Sequence, residues 1–122
     1  MKSLSDNARA ADLIERLRKF RDERNWAQFH TPKDLAISVT IEAGELLELF
    51  QWRPTDQKPD AQLVDAVRGE VADVLLYLLL LSDRLGIDLF QAANDKITKN
   101  ETRFPAEASR GIAKPEDTTE PR

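Results

Sequence analysis

Leu63 to Gly86 reads LVDAVRGEVADVLLYLLLLSDRLG. On a helical wheel of about 100° per residue, Leu63, Val67, Val74, Tyr77, Leu78 and Leu81 form one apolar stripe. Leu75, Leu76, Leu78, Leu79, Leu80 and Leu81 go further and cover the whole circumference. A helix that is apolar all round has to be buried on all sides. The spacing therefore predicts a helix from about Asp60 to Leu85, stopped by Gly86 at the position that favours a left-handed residue. Helices of one small domain cover only part of such a surface, so a second copy of the chain is expected to cover the rest as a homo-oligomer, the alternative being a tightly wrapped monomer.

Three more helices read outward from it. Leu13, Ile14, Leu17 and Phe20 recur at helical spacing between about Ser5 and Arg24. Thr31 as N-cap, Pro32 at the first helical position and Asp34 in the first turn start another, which runs to about Gln51. Pro54 and Pro59 make Arg53 to Asp60 a loop. Asp88 caps a last helix to about Thr102, ended by Pro105. No stretch reads as a strand. Gly44 and Gly69 fall inside helices, where each costs about 1 kcal/mol relative to Ala, so each is expected to have a packing reason. The expectation is an all-α, four-helix bundle-type domain over residues 1–105, assembled as an oligomer, with a polar, flexible tail over 106–122.

Composition narrows the class. The 122 residues leave room for one domain, and no cysteine is available for disulfides or thiolate metal sites. Twenty-two acids against 18 bases give a net charge of −4, which argues against a nucleic-acid binder. Met1 to Ala11 lacks an apolar core for a signal peptide, and the run from Val74 to Leu81 is far short of the ~20 residues that span a bilayer. A cytoplasmic protein without a membrane partner is expected.

Carboxylates stand where leucines belong. With Leu35 at zero on the wheel, Val39, Leu46, Leu49 and Phe50 define a stripe; Glu42 falls inside it and Glu45 just beyond its edge. On the later helix Glu70 falls inside the stripe and Asp73 just beyond. Each pair, at i and i+3, shares one helix face. An uncompensated buried carboxylate costs several kcal/mol, which a bound cation offsets. All-oxygen ligands suit Mg²⁺, which keeps waters and takes phosphates as further ligands. A solitary Glu-x-x-Glu is usually a solvated face; two, both on apolar faces, are not. A di-iron bundle would need Glu-x-x-His pairs, and His30, the one histidine, belongs to none.

Flat rings flank the acids. Trp26, Phe29 and His30 precede the first acidic helix, Trp52 follows it, and Tyr77 lies one turn beyond Asp73. Such rings suit base stacking, although core or subunit contact is the alternative for each. Lys96, Lys99, Asn100 and Arg103 near the end of the last helix, with Arg110 and Lys114, are candidates for phosphate oxygens; the helix dipole alone would favour one or two of these cations.

Three stretches carry a family resemblance: RDERNWAQFHTPKDLAISVTIEAGELLELFQW (Arg21 to Trp52), EVADVLLYLLLLSDRLGIDL (Glu70 to Leu89) and KNETRFP (Lys99 to Pro105). The chain resembles the all-helical nucleotide pyrophosphohydrolases of the MazG superfamily, most closely the dCTP pyrophosphatase branch, over about Phe20 to Lys114. The resemblance implies an all-alpha NTP pyrophosphatase fold that hydrolyses the α–β phosphate bond, with Glu42, Glu45, Glu70 and Asp73 as magnesium ligands. It implies that Trp26, His30, Trp52 and Tyr77 surround base and sugar, that Lys96, Asn100 and Arg103 contact phosphate and sugar, and that the assembly is a dimer of dimers. Arg110-Gly111 leads here to Lys114, Pro115 and an acidic end, where the family pattern carries a Lys and an aromatic. The expected activity is hydrolysis of dCTP or a modified dCTP by attack of a water, with Glu45 as its base. The alternatives are a dUTP, broad-range or phosphoribosyl-ATP hydrolase of the same class, or a helical oligomerisation module without activity.

Overall fold

The computed structural model describes residues 4–119, all helix, turn or loop, without a strand among them. The order is α1 (Leu4–Glu23), a 3-10 turn (Ala27–Phe29), α2 (Pro32–Glu48), α3 (Ala61–Arg84), α4 (Leu89–Arg103) and α5 (Ala106–Ser109). Among the described residues no helix is long and apolar enough to cross a membrane.

The ends of the helices follow local chemistry. Thr31 Oγ1 accepts from the Asp34 N–H at 3.1 Å, Asp60 Oδ1 from Leu63 N–H at 2.8 Å and Asp88 Oδ1 from Gln91 N–H at 3.1 Å. Each cap supplies one acceptor that the first turn lacks. Helix α1 is closed by Asn25, two residues past its end, whose φ of 55° is left-handed. The Trp26 N–H reaches back to Arg21 O and the Asn25 N–H to Asp22 O, both at 3.0 Å, a Schellman closure that turns Trp26 back toward α1. Helix α2 stops at Glu48 rather than near Gln51: the Leu49 and Phe50 N–H groups bond three residues back, to Leu46 O and Leu47 O, and the tightened turn cannot propagate.

The chain forms two compact units, one ending at Gly86 and the other starting at Ile87. The division falls earlier in the chain than the boundary expected after Pro105. Gly86, at φ 69°, supplies the break.

In the first unit α2 packs along α3 and α1 against α3. Leu35, Leu63, Leu79 and Leu80 are its buried apolar side chains, each contributing about 1.5–3 kcal/mol. Along the stripes, Val39, Leu46 and Leu49 of α2 and its loop, and Val67, Val74, Tyr77, Leu78 and Leu81 of α3, are half-buried, whereas Phe50, past the end of α2, is exposed. Arg18 Nε donates to Asp83 Oδ1 at 3.0 Å and Arg21 Nη1 to Asp83 Oδ2 at 3.3 Å, tying α1 to α3. Burial all round α3 is not reached within one chain, since Leu75, Leu76, Leu78 and Leu81 remain half-buried. The packing reason expected for Gly44 and Gly69 is absent among the described residues, where a Cβ at either would meet nothing within 4 Å.

In the second unit the tail folds back on α4. Thr118 N–H donates to Arg103 O at 3.0 Å, its hydroxyl to Thr102 O at 2.9 Å, and Arg103 Nε to Asp117 Oδ2 at 2.5 Å. The polar groups of the tail find each other, and α5 occupies its first turn; residues 120–122 lie outside the described residues.

Candidate metal centre and adjoining cavity

Packing of α2 on α3 brings Glu42 and Glu45 of one helix up to Glu70 of the other. Glu42, Glu45 and Glu70 each offer a carboxylate oxygen within 4.8 Å of the other two. Glu42 and Glu70 are half-buried and Glu45 is exposed, as their places on the stripes require. Glu42 Oε2 and Glu70 Oε2 are buried with no hydrogen-bond partner. None of the ion pairs among the described residues involves these acids.

The electrostatics follow from that arrangement. A hydrogen bond with Glu45, burial, and the charges of Glu45, Asp73 and Glu70 push the Glu42 carboxyl up to about 7. Burial, reinforced by Glu45 and Asp73, also raises Glu70. Two carboxyls pushed up beside a third acid, with buried lone pairs of Glu42 and Glu70 unmet, fit a hard divalent cation. Octahedral ligands about 2.1 Å from Mg²⁺ lie roughly 3–4 Å apart, so small side-chain rotations would close the group on an ion. Asp73 stands outside this trio, though near enough for its charge to raise Glu42 and Glu70.

Asp73 lines instead an adjoining cavity of about 260 Å³. Leu17, Phe20 and Trp26 form one wall; Leu76, Tyr77 and Leu80 of α3 form the other; Arg21 and His30 add polar groups. Trp26 meets Phe20 edge to face, ring centroids 5.7 Å apart, and the Arg24 guanidinium lies over the Phe20 ring, 3.7 Å from its centre. Burial first, and the Arg21 charge second, lower the pKa of His30, and its Nδ1 is buried without a partner.

Residues 37–116 match the MazG-like family. The chain belongs to that family. This MazG-like protein is 39% identical over 116 residues to dCTP pyrophosphatase 1 of Bos taurus, covering 91% of this chain and 68% of the relative. It is 42% identical over 100 residues to dCTP pyrophosphatase 1 of Mus musculus, covering 78% and 58%. The fold aligns with the crystal structure of a pyrophosphatase from Archaeoglobus fulgidus DSM 4304 at a TM-score of 0.72 and 43% identity, over 80% of this chain and 93% of that one.

Of the residues expected at the site, the MazG-like fold gathers Glu42, Glu45 and Glu70 in one cluster, and Trp26, His30, Tyr77 and Asp73 around one cavity. Trp52 joins neither: it is 88% exposed in the turn after α2, where short-range backbone bonds hold the chain but no described side chain covers the indole. Lys96, Asn100 and Arg103 belong to the second unit. Lys96 is exposed there, and Arg103 Nη1 donates to Asn100 Oδ1 at 3.2 Å. Arg21 was missed as a cavity residue. It sits four residues after Leu17 on the α1 stripe, and that position was its only signal.

Proposed function

We propose that this protein is a Mg²⁺-dependent pyrophosphohydrolase that converts dCTP, or a dCTP modified on its base, to the monophosphate and pyrophosphate. The three glutamates with unmet buried oxygens carry the metal part of the reading. The dCTP pyrophosphatase 1 relatives carry the substrate part. When bound, Mg²⁺ supplies charge neutralisation across the triphosphate and polarisation of the scissile phosphorus.

The chain's own residues do the rest. Glu42, Glu45 and Glu70 would hold the ion, with Asp73, one turn beyond Glu70 and lining the cavity, as the fourth acid of the set. The Glu45 carboxylate, exposed at the edge of the trio, takes the proton of the attacking water as its oxygen bonds to the α-phosphorus. The bond from that phosphorus to the bridging oxygen breaks, and pyrophosphate leaves. Trp26, Tyr77 and His30 enclose the base, excluding water, and Trp52 closes on it from the α2 turn. Lys96, Asn100 and Arg103 contact phosphate and sugar. Positioning and electrostatics supply most of the acceleration in phosphoryl transfer.

In the same reading the protein is a cytoplasmic homo-oligomer, a dimer of dimers. The exposed Ile37 and Ile41 of α2 and Val64 and Val71 of α3 support the subunit contact, since faces of this kind mark interfaces. Incubation with dCTP and Mg²⁺, with pyrophosphate detected, is the test. Release that disappears with chelator and in Glu42→Gln is expected; an inactive wild-type protein would overturn the assignment.

A further inference from the structure

Arg21 is not exposed like its neighbours on α1. Its side chain is 18% accessible, and its guanidinium is fixed from two sides. Nε and Nη2 donate to the two carboxylate oxygens of Asp22 at 2.8 and 3.3 Å, and Nη1 donates to Asp83 Oδ2 at 3.3 Å. Asp83 is itself held by Arg18. A guanidinium has five N–H donors, and these bonds occupy one on each nitrogen. A second N–H therefore remains on both Nη1 and Nη2.

The fixed group lines the 260 Å³ cavity, otherwise built from Leu17, Phe20, Trp26, Leu76 and Leu80 beside Tyr77, His30 and Asp73. Arg21 is the one lining side chain with charged donors and no acceptor. In a mostly apolar cavity a ligand group that fails to meet such donors leaves them unpaired, which is how a site rejects analogues. The clamp removes most of the rotamer freedom that a flexible arginine would lose on binding.

We propose that Arg21 sets the base class by donating a charge-assisted hydrogen bond to a carbonyl oxygen of the bound base. Cytosine, uracil, thymine and guanine carry such an oxygen and adenine does not, so the contact discriminates against adenine. The inference rests on the cavity's being the base site of the proposed pyrophosphohydrolase. It adds a specificity-determining residue that sequence pattern did not single out.

The alternative is that Arg21 only ties α1 to α3, and the test separates the two without relying on turnover. Binding of dCMP, dUMP and dAMP to the full chain is measured by calorimetry for wild type, Arg21→Ala, Arg21→Gln and Arg18→Ala. A hydrogen bond to a charged group corresponds to about a 10- to 100-fold change in affinity. The preference of the wild type for dCMP and dUMP over dAMP should therefore fall by about that factor in Arg21→Ala. Arg21→Gln, which keeps neutral donors, should recover part of it. Arg18→Ala, which removes the other partner of Asp83 outside the cavity, should keep the preference within about twofold. Equal weakening for all three nucleotides in Arg21→Ala, or a wild type with no preference, would overturn the proposal. Because binding is read and not hydrolysis, a wild type that prefers dCMP and dUMP yet releases no pyrophosphate from dCTP would count against the enzymatic reading alone.

Discussion

Glu70 and Asp83 sit on the same helix, 13 positions apart, and the protein treats their charges in opposite ways. Asp83 receives Arg18 and Arg21, and those hydrogen bonds hold its carboxyl below the usual range. Glu70 faces Glu42 and Glu45, keeps a buried oxygen without a partner, and is pushed up. Asp83 repeats the behaviour of Asp117, which the Thr119 hydroxyl and Arg103 hold down to about 2. A paired acid stabilises the fold; an unpaired cluster of acids weakens it until something binds there. The difference separates scaffold from site more sharply than burial does, since Glu70 and Asp83 are both half-buried.

The largest expected effect breaks the unpaired side. Glu42→Gln and Glu70→Gln should each lower kcat for dCTP by at least about 100-fold, since a catalytic metal supplies several kcal/mol. Melting temperature without metal should stay the same or rise, because a charge with no partner has been removed. Steady-state kinetics and a thermal melt check both halves. Asp83→Asn should do the reverse. It removes bonds to charged groups worth about 1.5–3 kcal/mol in favourable settings, reduced here by solvent exposure, so denaturant titration should show a loss of about 1 kcal/mol while turnover keeps its dependence on Mg²⁺.

A pH series sharpens the comparison. Glu42 binds its proton more tightly in the folded chain, at about 7, than in the unfolded chain, near the ordinary glutamate value of about 4.3. That contribution is complete below the unfolded value and is lost as pH rises through about 7. His30, lowered in the fold, works the opposite way across part of this window. The comparison must therefore be made against Glu42→Gln. Relative to that variant the metal-free protein should lose stability from pH 5 to pH 8, and Mg²⁺ should restore more of it at pH 8. The smallest effect lies outside both groups. Thr31→Ala removes the cap of α2 and should lower stability by about 1 kcal/mol, read by the same denaturant titration, without altering metal affinity.

How much of this was legible beforehand depended on the range of the interaction. Thr31, Asp60 and Asp88 could be read as start signals because a cap bonds three residues ahead. Glu42 and Glu70 could be read because a helical wheel carries the packing face, and a carboxylate on that face contradicts its surroundings. Arg21 could not be read as a fixed group, because its partner Asp83 is 62 residues away. The return of the tail depends on Arg103 meeting Asp117 across 14 residues, which polarity alone does not reveal. Asp73 was expected beside the glutamates and is found at the cavity. A position at the stripe's edge points to either neighbour, and only the packing of α1 and the Trp26 turn decides between them.

The most direct test is a calorimetric titration of Mn²⁺ or Mg²⁺ into the wild-type protein near pH 7, repeated in buffers of different ionisation enthalpy, beside the double variant Glu42→Gln/Glu70→Gln. The account predicts saturable binding accompanied by release of a fraction of a proton, because the Glu42 carboxyl titrates at about 7 and must ionise to ligate. Both binding and release should be lost in the double variant. Equal affinity in the two proteins, or binding with no proton released, would contradict it.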